Sequence, residues 1–288
     1  MCFDIWVLQR YRFSFSREQQ GRDLTFPKNM MYYCWMMKII FGQMTMLLIL
    51  SCSGYAQTNL KTAEKQLSQL YSKISDSSIN CSYQFGQEFR KLIKDNPATI
   101  NYDFSILRDS SRCDIVTSKD GNLRIYSWDT ETGGTMRFFN TIYQYKDNGK
   151  VYTRIPVFKE GDPGCFYSKI YTVVMNGKTY YLAISNGIYS NSDISQSVSV
   201  FTIAGNQLAD TARLFKTKTK LLNRIDVLFD FFSVVDRPER PVELITFDEE
   251  KKEMYIPVVD KKSQVTKKSL VYRLNGEYFE YVGVGDGK

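Results

Sequence analysis

The chain contains no histidine. Without an imidazole there is no Ser-His-Asp or Cys-His catalytic machinery, no imidazole zinc ligand and no histidine pH switch. Cysteine carries little more: beyond Gln57 only Cys81, Cys113 and Cys165 remain, with no Cys-x-x-Cys among them. That spacing argues against a zinc site and a thioredoxin-type site. One disulfide in an oxidising compartment and three small buried side chains are both open readings. The sequence also lacks a Gly-x-Ser-x-Gly elbow, a Ser-x-x-Lys pair and a glycine-rich phosphate-binding loop, so no cofactor and no metal is expected. Proline is scarce, at 7 residues.

Tyrosine (20) and phenylalanine (19) are abundant, and aromatic side chains suit pleated, half-buried surfaces. The net charge of +7 falls to +4 once the six basic and three acidic residues before Gln57 are set aside. The remaining basic residues are scattered, which excludes a nucleic-acid stripe. Lys216, Lys218 and Lys220 alternate and mark the solvated face of a strand or sheet edge.

Met37-Lys38 precedes an uncharged run, Ile39 to Leu50, and then a small-x-small exit at Gly54-Tyr55-Ala56. A short basic end, an apolar stretch too short to span a bilayer and small exit residues have the physics of a secretory signal. Residues 1–36 read as a start-site artefact and 37–56 as the signal peptide, with cleavage after Ala56. Ile49-Leu50-Ser51-Cys52 resembles an imperfect lipobox, so acylation of Cys52, the only expected membrane attachment, is the competing outcome. The protein is expected to be exported, to the periplasm, the cell surface or beyond.

Apolar residues at Leu60, Ala63, Leu67, Leu70, Tyr71 and Ile74 repeat at helical spacing, and a second helix is predicted over Asn80 to Lys94, ended by Pro97. Residues 57–97 are thus a helical cap. From residue 98 to 288 the period becomes two: Leu123, Ile125 and Ser127 share one face, and Arg124, Tyr126 and Trp128 the other. Tyr180, Leu182 and Ile184, and Leu270, Tyr272 and Leu274, alternate likewise. Asp120-Gly121, Asn148-Gly149, Asn176-Gly177 and Asn275-Gly276 punctuate these runs as tight turns. Gly205-Asn206 and Glu249–Lys252 add two more. About six hairpins with no long helix between them predict a mainly β fold: an antiparallel sandwich, barrel or small propeller-like domain. Gly283, Gly285 and Gly287 read as a frayed tail.

Arg124–Met136 (RIYSWDTETGGTM), Phe229–Asp236 (FDFFSVVD) and Leu270–Glu280 (LVYRLNGEYFE) resemble an uncharacterised family of exported proteins from gut bacteria. The resemblance implies export and, with no established activity in that family, assigns no functional residue.

Two constellations could carry function. Tyr126, Trp128, Phe138, Phe139, Tyr143 and Tyr145 offer aromatic faces that stack on sugar rings or a protein partner wherever they line a groove. Beside them Asp129 and Glu131, followed by Gly133 and Gly134, form a polar tip too poor in acids for a calcium loop. Tyr126, Trp128, Asp129, Glu131 and Tyr143 are therefore the ligand-binding candidates. The leading expectation is a binding or interaction module for a glycan or protein. The alternative is a carboxylate-dependent hydrolase of polysaccharide or peptidoglycan, which needs two facing acids drawn from Asp129, Glu131, Asp230, Asp236 and Glu243.

Overall fold

The computed structural model describes residues 59–74, 78–109 and 113–287. The predicted signal, Cys52 and Ala56 lie outside them. Every described residue belongs to the compact unit Gln57–Lys288. No helix among the described residues is long and apolar enough to cross a membrane.

Residues 59–72 are helical (α1), and α2 spans Ser78–Asp95, so both predicted cap helices are present. Pro97 then opens a 3-10 helix, Pro97–Asn101, where its fixed φ suits a first turn. A short α3 follows at Ser105–Asp109. Each of these is barely a turn or two long, too short to show a period.

Strands β1 (Cys113–Thr117), β2 (Leu123–Asp129), β3 (Phe139–Asp147) and β4 (Lys150–Arg154) pair in chain order as a first antiparallel sheet. Next come β5 (Phe166–Met175), β6 (Lys178–Ile188), β7 (Asp193–Ala204) and β8 (Gln207–Ala209). The short β9 (Phe215–Lys216) and β10 (Leu221–Leu222) precede β11 (Arg224–Asp230). The chain ends with β12 (Thr246–Asp248), β13 (Glu253–Val259), β14 (Val265–Leu274) and β15 (Phe279–Asp286). The second sheet has the order β11-β7-β6-β5, with β8 paired to the end of β7, and the third the order β10-β9-β15-β14-β13-β12. All pairs are antiparallel except β15 with β9, a parallel contact of two residues.

The fold is a stack: helices, first sheet, second sheet, third sheet. Phe85, Phe89 and Ile93 of α2 and Leu67 and Tyr71 of α1 bury against Tyr126, Trp128 and Ile142. On the opposite face of the first sheet, Leu123, Ile125, Tyr143 and Tyr145 meet Tyr167, Tyr181 and Phe201 of the second. The far face of the second sheet, with Leu182, Ile184, Val198 and Val200, packs on Phe215, Met254, Ile256, Tyr272 and Phe279 of the third. Each such side chain contributes about 1.5–3 kcal/mol on leaving water. The two faces of β2 foreseen from alternation thus serve two different interiors.

Polar groups knit the helical layer to the first sheet. The Thr99 carbonyl accepts from Arg124 Nη1 at 3.0 Å, and Gln144 Nε2 donates to Thr99 Oγ1 at 2.9 Å. Buried Glu64 accepts from Tyr102 Oη at 2.8 Å and from the Leu107 amide at 3.1 Å. Satisfying these groups is what makes their burial tolerable.

The turns at Asp120-Gly121, Asn148-Gly149, Asn176-Gly177, Gly205-Asn206, Glu249–Lys252 and Asn275-Gly276 all join paired strands. Asn148 and Asn176 take φ of 48° and 49°, each followed by a left-handed glycine, as a two-residue hairpin of primed type requires. Lys216, Lys218 and Lys220 are exposed at the edge of the third sheet as expected, on two short strands around a turn closed by the Thr217 amide on the Lys220 carbonyl. One expectation fails. Gly283 and Gly285 are not a frayed tail; they pair with Val271 and Ser269 of β14, whose ladder supplies the order their missing side chains cannot. No disulfide links any two of Cys81, Cys113 and Cys165.

Asp114 alternates with Cys113 and Ile115 on β1 and so faces the second sheet, where burial lifts its carboxyl to about 6. Between the ordinary carboxylate pKa and 6, the folded chain holds a proton that the unfolded chain has lost, so stability falls as pH rises through that window. At neutral pH the full cost, about 1–3 kcal/mol, is present. Asp114→Asn should therefore raise the melting temperature at pH 7, leave it nearly unchanged at pH 3.5 and flatten the profile between. Equal effects at both pH values would contradict a buried carboxylate.

Candidate functional site: a serine-floored cleft between two sheets

The face of the second sheet turned towards the first is not apolar throughout. Beyond Tyr181 and Phe201, alternation on β6 brings Ala183, Ser185 and Gly187 to that face, and on β7 Ser199, Ser197 and Ser195. Register aligns them with one another and with β11: Ala183–Ser199–Arg224, Ser185–Ser197–Asp226 and Gly187–Ser195–Leu228. Small residues at three successive rows fail to fill the space a core would occupy. The result is a cleft of about 350 Å³, inside the range of small-molecule sites, about 300–1,000 Å³.

Aromatic and polar walls close it. Tyr143 of β3 and Tyr167 of β5 share a hydroxyl contact of 2.8 Å, with Phe201 beside them. Burial pushes the Tyr143 hydroxyl up to about 12 and that of Tyr167 well above its usual range, so both stay protonated donors. Phe158, Asp162, Gly164 and Cys165, from the segment joining β4 to β5 and its junction with β5, form another wall. Burial likewise raises the Cys165 thiol, which holds it in the unreactive form. Tyr189 stands at the outer end, 40 % exposed, with its hydroxyl 3.4 Å from Ser195 Oγ. Gly187 leaves room beneath it: a Cβ there would lie 2.8 Å from Ser195 Oγ and 3.3 Å from the Tyr189 hydroxyl, and both side-chain ends would have to shift.

The cations around the cleft are each held by a carboxylate. Arg224 donates through Nε to Asp226 at 2.6 Å and through its two Nη atoms to Ser199 and Ser197. Burial works to lower the Arg224 pKa, but the Asp226 carboxylate more than offsets it. Arg154 Nη2 lies 3.3 Å from Asp210. Asp162, exposed at the rim, accepts the Gly164 amide. Ser185 is the exception to this satisfaction: its hydroxyl is 1 % exposed, lies against the weakly bonding Cys165 thiol and has no aligned hydrogen-bond partner. Among the described residues no three Cys, Asp or Glu side chains gather as metal ligands.

No protein-family model matches the chain, and no curated protein is similar to it.

Of the five candidates from sequence, Tyr143 lines the cleft. Tyr126 and Trp128 do not: both are fully buried under the helices, where Trp128 meets Phe85 and Phe89 edge-on at 5.7 and 5.4 Å. They sit on the helix-facing side of β2, a strand that contributes no residue to the cleft, and a side chain at zero exposure presents no surface to a ligand. Asp129 and Glu131 converge on one guanidinium, Arg137 Nη1, at 3.4 and 3.0 Å. Burial raises the Asp129 carboxyl, yet Arg137 occupies the place a substrate would take between the pair. Asp230 caps the 3-10 helix Phe231–Val234 by accepting from the Phe232 amide, and Glu243 pairs with Lys169. None of Asp129, Glu131, Asp230, Asp236 and Glu243 borders the cleft. The residues the sequence reading passed over are Ser185, Ser195, Ser199 and Arg224. Their signal was the run Ser195-x-Ser197-x-Ser199, a hydroxyl on every inward position of a strand.

A larger groove, about 460 Å³, runs between α1 and α2. Its rim is made of long surface side chains such as Gln66, Lys73 and Lys91, and it gathers no buried polar groups like those of the smaller cleft.

Proposed function

We propose that the protein is an exported binding module that receives a glycan in the cleft between its first two sheets. The observation carrying this reading is the floor itself: hydroxyls from adjacent strands, facing aromatic walls, in a cavity of ligand size. Saccharides present hydroxyls that trade hydrogen bonds with Ser, Asn and Asp, and apolar ring faces that pack on aromatic edges. The internal pairing of Arg224 with Asp226 and of Arg154 with Asp210, with Asp162 adding a negative charge at the rim, favours a neutral glycan over an acidic one. The uncharged run after Lys38 supports export, since a secreted or envelope protein meets polysaccharide directly.

Screening the full chain against an array of neutral and acidic glycans should reveal saturable binding to neutral members. Phe158→Ala, at a half-buried position on the cleft wall, should weaken that binding by about tenfold, the scale of one lost aromatic contact, while leaving thermal stability nearly unchanged. Absence of binding to any glycan would overturn the reading. So would binding that Phe158→Ala leaves intact.

A further inference from the structure

The cleft is longer than one sugar ring. Its floor follows β7 from Ser199 to Ser195, four residues or roughly 13 Å of extended strand, and side chains line it at both ends: Asp210 and Asn223 beside Ser199, Gly187 and Tyr189 beside Ser195. The inner end is the Ser199 end, with Phe201 and the exposed Asp210 beside it, while the Tyr143–Tyr167 hydroxyl pair walls the middle of the floor, where Tyr167 aligns with Ser185. The outer end opens past Tyr189 and Leu228, which are 40 % and 55 % exposed. Midway along the floor sits the buried Ser185 hydroxyl that lacks an aligned partner.

Resting on the glycan reading above, we infer that the ligand is an oligosaccharide of at least two rings, with one ring held at the inner end over the serines and the next packed against Tyr189. A single ring at the inner end would leave the Tyr189 face and the outer serine unused. A chain continuing outward would bury both and bring a ring hydroxyl within reach of Ser185, whose hydroxyl has only the weakly bonding Cys165 thiol against it. Tyr189 is suited to this role because it has two χ angles to immobilise and is already propped by Gly187 and Ser195.

Affinities of the full chain for the monosaccharide, disaccharide and trisaccharide of each neutral series found on the array test this directly. The disaccharide should bind on the order of tenfold tighter than the monosaccharide. Tyr189→Ala should abolish that gain, leaving disaccharide and monosaccharide with equal affinity, and Tyr189→Phe, which keeps the ring, should retain it. Equal affinity for the monosaccharide and its oligomers would overturn the two-ring inference and leave the glycan reading standing. A length-dependent gain that survives in Tyr189→Ala would place the second ring elsewhere and equally overturn it. Failure of every neutral saccharide to bind would remove both.

Discussion

Replacing Gln196 by alanine should destabilise the protein by about 3–5 kcal/mol, though the residue touches neither the cleft nor a charged group. Gln196 is fully buried on β7, on the face opposite the serines. Its Oε1 accepts from the amides of Leu244 and Ile245 at 3.0 and 2.7 Å, and its Nε2 donates to the Val242 carbonyl and to Asn186 Oδ1 at 2.7 and 2.8 Å. One side chain thus satisfies the backbone of an irregular segment, Val242 to Ile245, that has no strand partner there. Removing it strands buried amides and a carbonyl, each costing about 1–3 kcal/mol before relaxation. Gln196→Glu keeps the two acceptor bonds but turns a carboxylate oxygen towards two acceptors, the Val242 carbonyl and Asn186 Oδ1, so it should be strongly destabilising at neutral pH and recover at acidic pH, where a protonated oxygen can donate. Urea unfolding gives the stability difference; hydrogen exchange gives its location, with lost protection at Leu244 and Ile245. Unaltered protection at those two amides would show that something else holds the segment.

Trp128→Ala should cost a comparable 3–5 kcal/mol, the range for a large aromatic removed from a packed interior. Its ring lies among Phe85, Phe89 and the Arg90 guanidinium, which sits 5.9 Å from the ring centroid. The cavity left behind would lie under α2, so helix amides should exchange faster than strand amides. Trp128→Phe should be much milder, because it keeps most of the ring and removes an indole N–H that has no partner in the interior. These substitutions also separate two roles for the residue. A ligand-stacking tryptophan would lose binding at unchanged stability; the position of Trp128 predicts the reverse.

The local rules read the strands and turns well and the site poorly, and the reason is the same in both cases. An Asn-Gly turn or a run such as Leu123–Trp128 states which residues share a face, because side-chain direction follows from neighbouring atoms alone. Which of two faces meets solvent depends on partners nearly a hundred residues apart, as when Leu182 of β6 shares a core with Phe279 of β15. Tyr126 and Trp128 were therefore assignable to one face of β2 but not to the helices that cover it. The cleft needed one step further: knowledge that Ser185, Ser197 and Asp226 fall in a single row, which is a register between three strands and has no local signature. The acids misled for a simpler reason. Asp129, Glu131 and Glu243 are matched by Arg137 and Lys169, partners that sequence distance does not single out.

Because both faces of β2 are enclosed, its pairing is checked by two interiors at once. A slip of one position would carry Arg124 and Trp128 into the tyrosine-rich layer and push Leu123 and Ile125 against Thr99 and Gln144, stranding a guanidinium on one side and leaving carbonyls unanswered on the other. Such a misthreaded chain has no half-correct intermediate to rest in. The same double check holds at β6 and β7, which also face two interiors, so changes in these three strands should be the least tolerated in the stack.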